Sequence, residues 1–537
     1  MEIFINEHIN CLSMANRSDE GPKGQVLKKE ISYFQLVVIA VVASVGTGIL
    51  FATDSMTAAA GPGSVLSWAL IWIFFLPLAL TFAELARVFP EAGGPARYPL
   101  YTHGRMLALL TSTSSLIWYL FIPPIEALAV VEALDYFYPK LIGPNGYPTL
   151  LGAGLGVILL LLFIPFNYYG TKSFARSSTG LGVVKFVFYA ALALGLIAVY
   201  FNASNFTSYG GFLPYGATGL FLAMPTAAFA VGGVRIITDY AEEVKSTGVL
   251  VKAVVLTVFA QLVLTVLFGL SFVGALNWGK LGLSSGDWSS LTSLPGNPFV
   301  DLSNSLKVSP LLAIAIVVGT LGPFVTGYIY LGGGTRILFA MSRSNFVSSK
   351  IKQLHQKYYV PTWAILIFAI VGAIVTFVSA PAPSIYSLLT DAVVAGYLAY
   401  AANPVAMMAA RRQGLTQSAH RLPGGSVFAP IGLIFSALIV YWSGWPSVPY
   451  SILIITVASI LFTVVYRVKE NVFNSVWFIV YALFMLVMSY IGSVGALNVI
   501  PFSWSSLIVA AVSVLVFYPW GILTALREPI KEAPQEQ

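Results

Sequence analysis

Long apolar runs separated by short polar connections dominate this chain, and each run of roughly 18 to 34 residues is long enough to cross a ~30 Å hydrocarbon core. They fall at about 31–57, 62–88, 105–138, 147–166, 180–202, 218–240, 249–276, 309–342, 361–380, 384–411, 426–444, 446–466, 473–497 and 503–526. This predicts an all-α polytopic membrane protein with about fourteen transmembrane helices. The Gly444-Trp445-Pro446 turn could instead kink one continuous segment, which would lower the total to twelve or thirteen. Two distant runs carry the same interruption: VVASVGTGIL at 41–50 and FAVGGVRI at 229–236 each have a Val-Gly core among small residues. Such a break frees backbone amides and carbonyls inside the bilayer, and this is tolerated where the irregular stretch lines a cavity. Paired breaks in two halves point to one central binding site.

Composition agrees with this pattern. With 58% hydrophobic residues, 9% charged and a mean hydropathy of +0.84 over 537 residues, too little polar surface exists to cover a soluble protein. Residues 1–30 form a polar tail without the apolar core of a signal peptide, so the first run is expected to remain as a membrane helix. Charge sets the expected orientation. Of 28 Lys and Arg, only Lys140, Lys280 and Lys307 fall on one side, only Lys185, Arg235 and Arg336 fall within segments, and the rest share the side of both termini. That places the tails at 1–30 and 527–537 in the cytoplasm of a plasma-membrane protein. The net charge of +7 is thus a topology signal that suits anionic membrane lipids and implies no nucleic-acid partner.

Several function classes lose ground. The longest loop, near 277–308, has about thirty residues, and no GxxxxGK[ST] nucleotide loop is present. A channel would show charge rings or a repeated filter. A membrane enzyme lacks its constellation: His103, His355 and His420 fall in cytoplasmic loops or helix ends, His8 lies in the tail, and no HExxH occurs. The lone Cys11 permits no intrachain disulfide or cysteine-based metal cluster, and no cofactor is implied.

Five stretches, in order, carry a resemblance. GTGIL at 46–50, AELARVFPEAGGPARY at 83–98, NYYGTKSFARSSTGLGVVK at 167–185, FAVGGVRIITDYAEEVK at 229–245 and RILFAMSRSNFV, followed by His355 and Pro361, resemble signatures of the amino acid, polyamine and organocation transporter superfamily. Ala96 replaces the first tyrosine of the second signature and Tyr98 keeps the second. The resemblance implies a secondary transporter of amino acids working by alternating access, proton-coupled or exchanging; a carrier of polyamines or other organic cations is the alternative. It also implies a 5+5 inverted-repeat core at 31–411, with helices 1–5 at about 31–202 and helices 6–10 at about 218–411. Additional helices at 426–526 read as scaffold or oligomer contact.

A zwitterionic substrate needs donors for its carboxylate and acceptors for its ammonium. Exposed amides at Thr47, Gly48 and Ile49, beside Ser44 and Gly46, sit at a positive helix end and suit the carboxylate. Carbonyls at Phe229, Ala230 and Gly232 suit the ammonium, and family members use an aromatic at the position of Phe229 to cover the substrate. Lys185, five or so residues into segment 5, could snorkel to the headgroups; the resemblance instead gives it the place of a sodium ion bridging helices 1 and 8, with a role in proton coupling. Arg235 departs from the acidic residue common in the family. It is expected either to pair with Asp239, Glu84 or Glu126, or to meet an anionic substrate side chain or form an intracellular gate. Glu126, Glu132 and Asp135 follow Pro123-Pro124, Glu126 deepest and a proton-carrier candidate.

Overall fold

The computed structural model describes residues 26–294, 296–380, 385–528 and 530; side chains are described from 390 onward in the helix that starts at 385. The tails, with His8 and Cys11, lie largely outside the described residues. Thirteen helices there are long and apolar enough to cross a membrane. The first of them, Thr47–Val88, has 42 residues, about twice what a ~30 Å core needs, and a Gly61-Pro62-Gly63 turn divides it. Divided there, the described residues hold fourteen membrane-length segments.

Numbered by pass, α1 comprises Tyr33–Ser44 and Thr47–Ala60, α2 Ser64–Val88, α3 Arg105–Asp135, α4 Leu150–Tyr168 and α5 Thr171–Tyr200. Then come α6 Gly216–Asp239, α7 Leu250–Ala275, α8 Ser309–Arg343, α9 Thr362–Ser379 and α10 Ile385–Arg412. The last four are α11 Gly425–Trp442, α12 Ser447–Tyr466, α13 Val476–Ile491 and α14 Phe502–Leu523.

Local chemistry explains the two discontinuities. Ser32 opens α1 with a capping box: its hydroxyl accepts from the Gln35 amide while the Gln35 side chain accepts from the Ser32 amide. The first half stops at Ser44, Gly46 takes φ −125°, ψ −138°, and the helix restarts at Thr47. In α6 the α-helix ends at Val231 and a single 3-10 turn, Gly232–Arg235, leads into Ile236–Asp239. The break in α6 is therefore a tightened turn rather than an unwound strand. Glycines let the two breaks touch. A Cβ on Gly233 would stand 2.2 Å from Ser44 Oγ and 2.5 Å from its amide nitrogen; one on Gly48 would stand 2.8 Å from Phe229 Cδ1.

One expected boundary moves, with a consequence. Segment 5 was expected from about 180, but α5 starts at Thr171, because the polar stretch TKSFARSST continues the helix out of the hydrocarbon with Lys172 and Arg176 exposed. Lys185 is thus fourteen residues beyond the helix start, about 21 Å along it, and buried at 1% exposure. Snorkelling to the headgroups does not describe it.

Candidate functional site

Four helices converge on the break in α1. The first half of α1 ends at Ser44, and Val42 O, which accepts from the Val45 amide at 3.2 Å, also accepts from Lys185 Nζ at 2.9 Å. The same side-chain nitrogen donates to Gly322 O of α8 at 2.8 Å and to Thr326 Oγ1 at 2.6 Å, and the Thr326 hydroxyl donates to Val42 O at 3.1 Å. The Lys185 amine therefore ties α1, α5 and α8 together through three oxygen acceptors.

On the other side of the break, the restarted helix presents its positive end, and a carboxylate occupies it. Glu126 Oε2, from α3, accepts from the Thr47 amide at 3.0 Å and from Thr47 Oγ1 at 2.7 Å. The Ile49 amide is engaged by Gly46 O at 3.3 Å, a tightened bond at the helix start, so it is not an open donor as expected. Gly46 is what lets the groups gather, since a Cβ there would stand 2.6 Å from both Glu126 Oε2 and Thr326 Oγ1. Glu126 Oε1, fully buried, has no hydrogen-bond partner among the described residues.

The acceptor side is formed by α6. Phe229 and Ala230 lie against Gly48, and the Ala230 carbonyl accepts from the Gly232 amide. Trp118 of α3 covers Gly232, where a Cβ would meet its ring at 2.4 Å, and its ring centroid is 6.1 Å from that of Phe229. Tyr397 of α10 donates to Ala228 O at 3.3 Å.

The four charged candidates separate into three places. Arg235 and Asp239, both fully buried, pair through Arg235 Nε at 3.1 Å, and Tyr119 of α3 donates to the same carboxylate. Glu84 and Glu126 are not the partners of Arg235. Glu84 instead takes the Arg411 guanidinium, with Nε at 2.6 Å, and the Leu422 amide at 2.8 Å, because α2 and α10 end side by side. Glu126 is held at the α1 break, as described above.

The same face of the molecule carries a second layer of ion pairs. Glu243 holds Arg336 through two bonds of 2.8 and 2.9 Å, and Glu242 holds Arg343 at 2.7 and 2.8 Å while accepting from the amides of Ala92 and Leu27. Burial by itself would raise the Glu242 carboxyl, but Arg343 and those amides hold it below the ordinary range. Glu132 and Asp135 sit far from the α1 break, Asp135 accepting from the amides of Leu141 and Ile142. Thr326, Trp118, Tyr119 and Tyr400 were not singled out from sequence. The Gly322-Pro323 pair inside α8 is a sequence signal near Thr326 that could have drawn notice.

A chain of packed helices with two facing breaks, a carboxyl group on one helix end and a buried lysine beside it is a carrier of the broken-helix class. Comparison with known proteins narrows the class. The family model described as amino acid permease matches residues 31–465, and the chain belongs to that family. It is 29% identical to the glutamate/serine transporter AimA of Bacillus subtilis, covering 95% of this chain and 96% of that protein. It is 30% identical to the aspartate-proton symporter of the same organism, over 93% and 97%. The aromatic amino acid transport protein AroP of Escherichia coli K12 is 23% identical over 84% and 98%. The protein is accordingly a multi-pass membrane transporter of the amino acid permease family.

Proposed function

We propose that the site between α1 and α6 binds an α-amino acid and that this protein moves it by alternating access in a 5+5 inverted-repeat core. The substrate carboxylate lies on the amides of Thr47 and Gly48, and its ammonium faces the carbonyls of Phe229, Ala230 and Gly232. The observation that carries this reading is the Glu126 carboxylate on the Thr47 amide and hydroxyl, because it identifies that helix end as a place where a carboxylate is accommodated.

Coupling follows from the same contact. A substrate carboxylate competes with Glu126 for the Thr47 donors, and a displaced carboxylate buried without donors is costly until a proton neutralises it. Loading the substrate thereby favours loading a proton. Lys185 supplies the cation that a sodium ion would otherwise provide, so sodium has no role. Both termini face the cytoplasm of a plasma-membrane protein, a reading that the excess of basic residues on that side supports.

The test is uptake into liposomes containing the purified protein. Amino acid flux is expected to saturate, to show counterflow, to rise with an inward proton gradient and to be unchanged when choline replaces sodium. A strict sodium requirement would remove Lys185 from the coupling role, and absence of counterflow would remove the carrier mechanism.

A further inference from the structure

Arg235 is fully buried, yet its guanidinium is only half used. Nε points to Asp239, at 3.1 and 3.3 Å from the two carboxylate oxygens, while Nη1 and Nη2 make no well-formed hydrogen bond among the described residues and have the Tyr400 hydroxyl as their one polar neighbour. An arginine that serves only to neutralise a buried carboxylate normally offers its two-pronged edge, which matches the carboxylate oxygens. Here the prongs are turned away from Asp239. They lie among the rings of Tyr119 and Tyr400, 5.2 and 5.3 Å from the guanidinium carbon, with the Tyr400 hydroxyl beside them. Buried N–H groups left in such a place are costly unless something completes them.

The backbone says where they point. In the 3-10 turn Gly232–Arg235, positions three apart eclipse, so the Arg235 side chain leaves the helix on the face of Gly232. That face is the one covered by Trp118, next to Tyr119 on α3, and it adjoins Phe229 and Ala230 where Gly48 touches them. Trp118 also packs on Tyr400, with ring centroids 5.8 Å apart. The guanidinium therefore stands on the face of α6 that Trp118 covers, beside Tyr119 and Tyr400.

Building on the amino acid site proposed above, we infer that Arg235 is its specificity-determining residue: the free edge receives the side-chain carboxylate of a dicarboxylic amino acid, with Asp239 and Tyr119 positioning the guanidinium. The α-carboxylate lies on the α1 helix end and the second carboxylate on Arg235. Glutamate and aspartate fill both anion positions. Their amides fill only one and leave the buried donors imperfectly matched, which is the kind of mismatch that discriminates strongly.

The experiment is competition binding to the purified full-length protein with L-glutamate, L-aspartate, L-glutamine and L-asparagine. The unaltered protein is expected to bind each acid at least tenfold more tightly than its amide. Removing Arg235 alone would strand Asp239, so the main variant is Arg235→Met with Asp239→Asn, which removes both charges together. It is expected to bring the acid-to-amide ratio near one while glutamine affinity changes less than threefold. If that variant is not monodisperse, Arg235→Lys, which keeps the charge but loses the fork, is expected to lower the ratio at least threefold. An unchanged ratio in whichever folded variant is measured overturns the inference. So does an unaltered protein that binds neutral amino acids and refuses the acids, which leaves the amino acid site standing. Binding of no amino acid at all would instead overturn the site itself.

Discussion

Lys185 shows how one residue's depth decides its chemistry. Fourteen residues inside α5, its ammonium is compensated by Val42 O, Gly322 O and Thr326 Oγ1, a set of oxygen ligands that a bound cation would also choose. Sodium-independent uptake is the expected consequence. A second buried group, outside the membrane segments, gives a pH dependence of stability. His103 donates from Nε2 to Gly521 O at 2.9 Å and accepts at Nδ1 from Thr102 Oγ1 at 2.8 Å, and burial lowers its pKa to about 4, opposed by the bond to Gly521. The folded protein keeps this imidazole neutral while the unfolded chain protonates it below about pH 6.5. Its contribution is complete above that pH and is lost as the pH falls toward 4, to a total of about 3 kcal/mol. Thermal unfolding of the purified protein should thus show a falling Tm between about pH 6.5 and 4, and His103→Gln should flatten that fall. An equally steep fall in the variant would assign it to other groups.

At the scale of elements, the meeting of the two breaks depends on absent side chains. Gly48→Leu would drive its side chain into Phe229 and Ala230 and is expected to abolish amino acid binding while the protein still inserts. Ligand-induced thermal shift checks this, and retained affinity would move the site elsewhere. Gly233→Ala is expected to be worse for the fold, because its Cβ meets the backbone nitrogen of Ser44 at 2.5 Å, and backbone does not swing aside. A loss of about 1 to 3 kcal/mol is expected. Gly180→Ala, on the exposed face of α5 with nothing within 4 Å, serves as the control and should leave the Tm unchanged or slightly higher.

For the whole molecule, the loops divide between two ends. The turn at Gly61 packs on Pro214, and Lys280 reaches the hydroxyl of Tyr200, which gathers three connections at one end. Glu84 with Arg411, Glu242 with Arg343 and Gly104 against Asn471 gather connections at the other. The proposed topology puts the second end, which holds most of the basic residues, in the cytoplasm. In a Cys11→Ser background, an impermeant maleimide added to intact cells should label Lys280→Cys and spare Lys350→Cys. The reverse pattern would invert the proposed topology. The final helices also brace the core: Gln413 at the end of α10 donates to Thr102 O and Leu526 O, and His103 reaches α14. This gives α14 a structural hold on the start of α3.

Membrane residence, the number of passes and the position of both breaks were legible in the chain itself, because lipid forces apolar runs of fixed length and allows glycine interruptions only for a reason. The signatures at 46–50, 167–185 and 229–245 also marked Thr47, Lys185 and Phe229 as candidates. Pairing was not legible, since a carboxylate 79 residues from Thr47 becomes its partner only when α3 packs across the break. Sequence left Arg235 with three possible partners; the i, i+4 spacing on one helix and the packing of Tyr119 chose Asp239. Sequence also placed Lys185 too near the surface, because a hydropathy boundary marks where apolar residues begin, whereas hydrogen bonding and packing decide where a helix does.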